Sequence, residues 1–144
     1  TGSVHGINRK PVMKTNFQTA ISDGYHQYRP TKRAISEYYQ ITHDRQSHRC
    51  AMAFFGSYGD DLPWIHDRLS EIEIPTLITW GKLDPFVSVS NAEYLSTRIP
   101  LNKLVIFDSA SHFSSEDAGD DYLNTLVDWC SSGSKGQADM QAVA

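Results

Sequence analysis

Apolar and polar positions follow different periods in the two halves of the chain. Residues 14–22, Lys-Thr-Asn-Phe-Gln-Thr-Ala-Ile-Ser, read as one short helix. From Pro30 the pattern turns helical: Ile35, Tyr38 and Tyr39 fall at three- to four-residue spacing, and Pro30 suits a first turn. Asp44 to Phe55 continues it, with Cys50 and Phe54 four apart and Met52 and Phe55 three apart. Gly56 and Gly59 are expected to break that helix. Asp60-Asp61-Leu62-Pro63 is expected to open another, with either Asp as cap and Pro63 in the first turn. Leu62, Ile65, Leu69 and Ile72 then form an apolar stripe, and Trp64 points off it. Nothing in residues 1–70 reads as a strong strand.

Residues 71–131 change character. Residues 75–80, Pro-Thr-Leu-Ile-Thr-Trp, are short, β-rich and bounded by Pro75 and Gly81, as in a strand buried in a parallel sheet. Ser90-Asn91-Ala92-Glu93 is a capping-box pattern opening a helix that runs through Tyr94, Leu95 and Ile99 to Pro100. Residues 103–107, Lys-Leu-Val-Ile-Phe, predict a second strand. Ser114 or Ser115 can cap a last helix, with Glu116 and Asp117 in its first turn and Tyr122, Leu123, Leu126, Val127 and Trp129 on its buried side. Gly119 weakens the start of that helix. Strand, helix, strand, helix is a parallel βαβα unit, so the fold class is α/β. The tail from residue 132 is small and polar and reads as disordered.

Bulk properties narrow the function classes. The 144 residues suit about one domain; 40% are apolar and 21% charged, which is ordinary globular composition. A net charge of -4 points to neither nucleic acid nor an anionic membrane as partner. No apolar run approaches the roughly 20 residues that span a bilayer. The start, Thr1-Gly2-Ser3-Val4-His5-Gly6, has no signal-peptide layout and no Met, as in a processed or truncated chain. Two cysteines, Cys50 and Cys130, are too few for a disulfide framework, so a reduced, cytoplasmic protein is the expectation.

The candidate chemistry sits in two loops, each following a strand at its carboxyl end, where crevices form in open α/β sheets. They are Gly81-Lys82-Leu83-Asp84-Pro85-Phe86 and Asp108-Ser109-Ala110-Ser111-His112-Phe113. With parallel strands, Asp84 and His112 emerge at one rim. A carboxylate there can accept the Nδ1 proton of the imidazole and steady the cation formed when Nε2 takes a proton.

These segments resemble the α/β-hydrolase superfamily. Residues 74–87 resemble its strand and acid loop, residues 92–100 the helix that follows, and residues 104–113 its last strand and histidine loop. Glu116 and the helix at 122–129 resemble its closing helix, and the helices before residue 71 stand where that family carries a lid. The resemblance implies the carboxy-terminal part of an α/β-hydrolase: parallel strands with flanking helices (71–131) preceded by a helical lid (1–70). It implies Asp84 and His112 as two members of a nucleophile–acid–histidine triad. The nucleophile's Gly-x-Ser-x-Gly elbow is missing, because Gly56-Ser57-Tyr58-Gly59 lacks the spacing and follows no strand; the oxyanion-hole loop is missing too. Both belong upstream in this fold. A two-stranded pair cannot cover its own faces, so Leu77, Ile78, Trp80, Leu104, Val105 and Phe107 are expected to pack against material supplied in trans. That material is an amino-terminal hydrolase segment or subunit, a cleaved half, or a swapped second copy.

The expected function is therefore hydrolysis of an ester, thioester, lactone or C–C bond in a small-molecule substrate. The nucleophile (Ser, Cys or Asp) would be completed by the upstream segment, with no cofactor and no metal. The alternative is a non-catalytic subunit or a ligand-binding protein on a hydrolase scaffold. Trp64, Phe86 and Phe113 are the substrate-binding candidates; Tyr38, Tyr39, Phe54 and Phe55 could line a pocket or simply pack. Plainer readings exist for each residue. Asp84 precedes Pro85 and could be a turn residue. Asp108 is a rival acid too near its strand end. Glu116 and Asp117 read as charges favoured at a helix amino terminus. His43, His48 and Cys50 fit no zinc spacing and read as solvated helix residues.

Overall fold

The computed structural model describes residues 14–42 and 44–132. Helix α1 (Lys14–Asp23) leads through an irregular strap into α2 (Lys32–Ile41) and α3 (Arg45–Arg68). A 3₁₀ turn, Leu69–Glu71, precedes strand β1 (Thr76–Gly81), helix α4 (Ser90–Arg98) and strand β2 (Asn102–Phe107). The chain closes with α5 (Ser114–Asp117) and α6 (Asp120–Ser131). The strands are parallel and adjacent, in register from Thr76 opposite Asn102 to Gly81 opposite Phe107. A parallel pair needs a crossover, and α4 provides it. This is the βαβα order read from the sequence. The predicted tail lies outside the described residues apart from Ser132.

Leu69, Ile78, Ala92 and Ile99 form the buried cluster, with Ile72, Trp80, Tyr94, Leu95 and Leu104 packed on it. It joins the end of the helical segment to both strands and α4. Asn102 closes α4 by donating from Nδ2 to the carbonyls of Ser96 (2.8 Å) and Ile99 (2.7 Å). The apolar periodicity of β1 and α4 thus becomes one seam, and the seam holds the two strand ends level.

Several expectations are corrected. Helix α3 is one uninterrupted helix of 24 residues; Gly56 and Gly59 do not break it, and no new helix opens at Asp60. A helical glycine costs only about 1 kcal/mol relative to Ala. Here contacts one turn apart bridge Gly56: the rings of Phe54 and Tyr58 lie 5.1 Å apart, edge to face. Asp44 caps α3 through the Ser47 amide (2.7 Å). The stripe of Leu62, Ile65, Leu69 and Ile72 is only partly used: Leu69 is buried, but Leu62 and Ile65 are exposed. Ser90 does not cap α4, because the helix already includes it; its amide donates to Ser88 Oγ instead (3.3 Å). The last helix is two pieces. Gly119, with φ of 51°, turns the chain between α5 and α6, a conformation that favours glycine. On α6 only Trp129 is buried, and Leu123 and Val127 are exposed.

Candidate active site

The site grows out of the carboxyl ends of β1 and β2. Gly81 ends β1 against the histidine loop: a Cβ there would overlap the Ser111 carbonyl oxygen and come within 2.7 Å of that of Ala110. Only glycine permits so close a backbone approach. The loops are then stitched together. Leu83 N donates to Ala110 O (3.0 Å), Lys82 N to Phe107 O (3.0 Å) and Ser111 Oγ to Leu83 O (3.3 Å). Outside them, Lys82 and Asp108 form an exposed ion pair at 2.6 Å.

Asp84 uses both carboxylate oxygens. Oδ1 accepts the amides of Phe86 (2.8 Å) and Val87 (3.0 Å), an Asx turn that fixes the side chain relative to its own backbone. The Trp80 indole holds the far end of that turn by donating to Val87 O (3.2 Å). Oδ2 faces His112 Nδ1 at 2.9 Å. The Asp84 side chain is 5% exposed and that of His112 37%. Burial alone would raise the Asp84 pKa. The hydrogen bond to His112 and the two amides outweigh it, and the carboxyl is held below its usual range. An ionised Asp84 makes Nδ1 the protonated nitrogen of the neutral ring and leaves Nε2 as the basic one.

Beside this pair is a cleft of about 180 Å³, lined by Thr79, Trp80, Gly81, Asp84, Val87, His112 and Ser114. The substrate-binding candidates Trp64, Phe86 and Phe113 are not among these residues. Phe86 and Phe113 instead flank the His112 ring edge to face, with centroids 5.1 and 5.2 Å away. Trp64 is exposed on α3, with the Arg68 guanidinium 4.4 Å from its ring centroid. Sequence reasoning does not single out Thr79, Trp80 and Val87 as cleft residues; their positions at a strand end and in the acid loop are the available signal. No group of three or more His, Cys, Asp or Glu able to hold a metal occurs among the described residues. His43 lies outside them. No helix among them is long and apolar enough to cross a membrane.

The two carboxylates after the histidine loop stand in the first turn of α5, as expected, and both also take partners from far along the chain. Glu116 accepts hydrogen bonds from the hydroxyls of Tyr25 and Tyr38, both 2.9 Å. Burial, then Glu116 itself, pushes the Tyr25 pKa up. Asp117 is 6% exposed and accepts four backbone amides: His26 (2.8 Å), Gln27 (2.7 Å), Tyr28 (2.6 Å) and Ser111 (2.8 Å). Burial would raise its pKa, but these amides, Tyr28 foremost, hold it below the usual range. A carboxyl whose folded pKa is depressed contributes stability that is present above its unfolded pKa and lost as pH falls through the folded one. Asp84 and Asp117 therefore predict acid destabilisation setting in below about pH 4, the unperturbed Asp value. Urea denaturation followed by circular dichroism between pH 7 and 2 checks this; a transition midpoint flat down to pH 2 contradicts it.

No protein-family model matches the chain. Over 67 residues, 46% of the chain, it is 31% identical to a 2-hydroxy-6-oxononadienedioate/2-hydroxy-6-oxononatrienedioate hydrolase of Pseudomonas putida. Over 65 residues, 45% of the chain, it is 35% identical to a proline iminopeptidase of Saccharolobus solfataricus. These stretches are 23% and 21% of those proteins. Among solved structures, 80% of the chain superposes on 43% of 2-hydroxy-6-oxo-6-phenylhexa-2,4-dienoate hydrolase from Rhodococcus sp. strain RHA1, with a TM-score of 0.66 and 16% identity. A serine hydrolase involved in carbazole degradation matches 91% of the chain and 51% of its own, with a TM-score of 0.65 and 16% identity. The chain spans about half the length of these structures. Its fold matches the carboxy-terminal part of the α/β-hydrolase fold.

Proposed function

We propose that this chain supplies the acid and the base of a hydrolase triad, with Asp84 orienting His112 and the nucleophile carried on an upstream segment. The observation that carries this reading is the 2.9 Å pairing of Asp84 Oδ2 with His112 Nδ1 at the cleft beyond two parallel strands. The similarity to named hydrolases supports it.

In this reading a hydroxyl nucleophile attacks the substrate carbonyl carbon and passes its proton to His112 Nε2. The imidazolium then protonates the leaving group as the carbonyl–leaving-group bond breaks. Water attacks the acyl intermediate, gives its proton to Nε2, and the nucleophile regains one as the acid departs. Asp84 stays ionised throughout and compensates the transient charge on the ring. Trp80, Thr79 and Val87 form one wall for the acyl group, and Phe86 and Phe113 restrict how the ring can turn. Helices α1–α3 serve as the lid, with Trp64 on it as a substrate contact; the chain's own cluster covers Ile78, Trp80 and Leu104, and the upstream segment covers the strand face that carries Leu77 and Val105.

Esters, thioesters, lactones and ketones flanked by a cleavable C–C bond all suit this chemistry. Two similar proteins are named for 2-hydroxy-6-oxo dienoates, so such a compound is the first physiological type to assay after an activated ester. The test is p-nitrophenyl acetate hydrolysis by the chain alone, by the upstream segment alone, and by both together. Turnover is expected only from the combination. No turnover from the combination, or equal turnover without this chain, rejects the proposal.

A further inference from the structure

Asp117 stands five residues beyond His112 and is not among the residues lining the cleft. It is the last residue of α5, yet none of its four donors belongs to that helix. Three are consecutive amides of the strap between α1 and α2: His26, Gln27 and Tyr28. The fourth is the amide of Ser111, the residue immediately before His112. Hydrogen bonds to an ionised carboxylate are stronger than neutral ones, and burial keeps water from replacing them.

Other contacts close the same junction. Phe113 N donates to Gly24 O (3.1 Å), and Gln27 Nε2 donates to Ser109 Oγ (2.7 Å) and Ser109 O (3.1 Å). A Cβ on Gly24 would lie 2.5 Å from the Phe113 ring, so strap and histidine loop meet without a gap. Tyr25, 5% exposed, packs its ring 4.7 Å from Phe113. The strap therefore touches the histidine loop on both sides of His112, and a single buried charge gathers its amides.

We propose that Asp117 is a positioning residue. Through the Ser111 amide it sets the His112 loop against Asp84, and through the strap amides it makes strap and loop move as one body. Its kinetic consequence rests on the triad reading above; the coupling of strap and loop does not. Each oxygen accepts two of the four amides, so replacing the carboxylate by an amide turns one acceptor into a donor facing two N–H groups; two of the four bonds are lost and those backbone donors go unpaired.

The test is Asp117→Asn, with Asp117→Glu as the variant that keeps the charge. In the chain assembled with its upstream segment, the Asn variant is expected to lose about ten- to a hundredfold in kcat, as a small misplacement of a catalytic group does, with KM little changed. In the chain alone, the proton NMR signal of the hydrogen-bonded His112 Nδ1–H, assigned by its disappearance in His112→Ala, is expected to broaden or vanish. The Glu variant is expected to recover part of both. An Asn variant that only melts earlier, with kcat and the Nδ1–H signal intact, overturns the proposal. Should the Asn variant fail to fold, hydrogen exchange of the unaltered chain decides. The amides of His26, Gln27, Tyr28 and Ser111 are expected to exchange at a common rate, and strap amides exchanging well ahead of Ser111 overturn the coupling. If His112→Ala keeps full activity, the triad reading fails by itself; the Nδ1–H and exchange measurements still judge Asp117.

Discussion

With the proposed triad, His112→Ala is expected to lower kcat of the chain combined with an upstream segment by about 10⁶, and Asp84→Asn by about 10⁴, the scale seen when triad members are removed singly. The asymmetry has a physical origin. In the proposed triad, losing the imidazole removes the base that both takes the nucleophile's proton and returns it to the leaving group. Asp84→Asn leaves the ring in place, but the new side-chain amide donates to Nδ1 and stabilises the tautomer whose Nε2 is already protonated. The double variant should be no slower than His112→Ala alone, because groups acting in one relay are not additive. Single-turnover and steady-state rates on p-nitrophenyl acetate, with circular dichroism as a folding control, read all three. A His112→Ala protein hydrolysing at the original rate sinks the assignment whatever its structure.

Gly81→Ala is expected to destabilise the chain by about 1–3 kcal/mol or more, as overpacking against an unyielding neighbour does. The atoms in the way are the carbonyl oxygens of Ser111 and Ala110, so no side-chain rotation relieves the overlap. Relief requires the two loops to part, which also draws Asp84 from His112, and activity should fall together with the urea midpoint. Gly56→Ala is the control of opposite sign. Its Cβ would meet nothing within 4 Å and the site is helical, so a gain of about 0.5–1 kcal/mol is expected. Equal effects at the two glycines would show that the close approach at Gly81 has no energetic weight.

How far the sequence could be read depended on whether a signal was local. The strands at 75–80 and 103–107 were legible because short β-branched runs bounded by Pro75, Gly81 and turn residues have few alternatives, and they stand at Thr76–Gly81 and Asn102–Phe107. The loop positions of Asp84 and His112 followed from strand polarity alone. Their 2.9 Å separation did not, since it depends on the register of β1 with β2 and on the Asx turn of Asp84. The glycines of α3 misled because propensity is a small penalty that a long helix absorbs. Asp117 was legible only in part. It does stand in the first turn of α5, as an acid beside serines suggests, but its donors lie up to 91 residues away along the chain.

The sequence by itself determined the βαβα order, the polarity of the loops and the residue types available for chemistry. Periodicity, turn residues and chain direction are properties of neighbouring residues and need no fold to be read. Tertiary structure alone decided which oxygen of Asp84 meets the imidazole, that Gly81 must lack a side chain, and that a strap 89 to 91 residues upstream is held by Asp117 beside His112. Those facts arise from contacts between segments distant in sequence. Such contacts form only when burial of Leu69, Ile78, Ala92 and Ile99 brings the strand ends level, and no local pattern encodes that alignment.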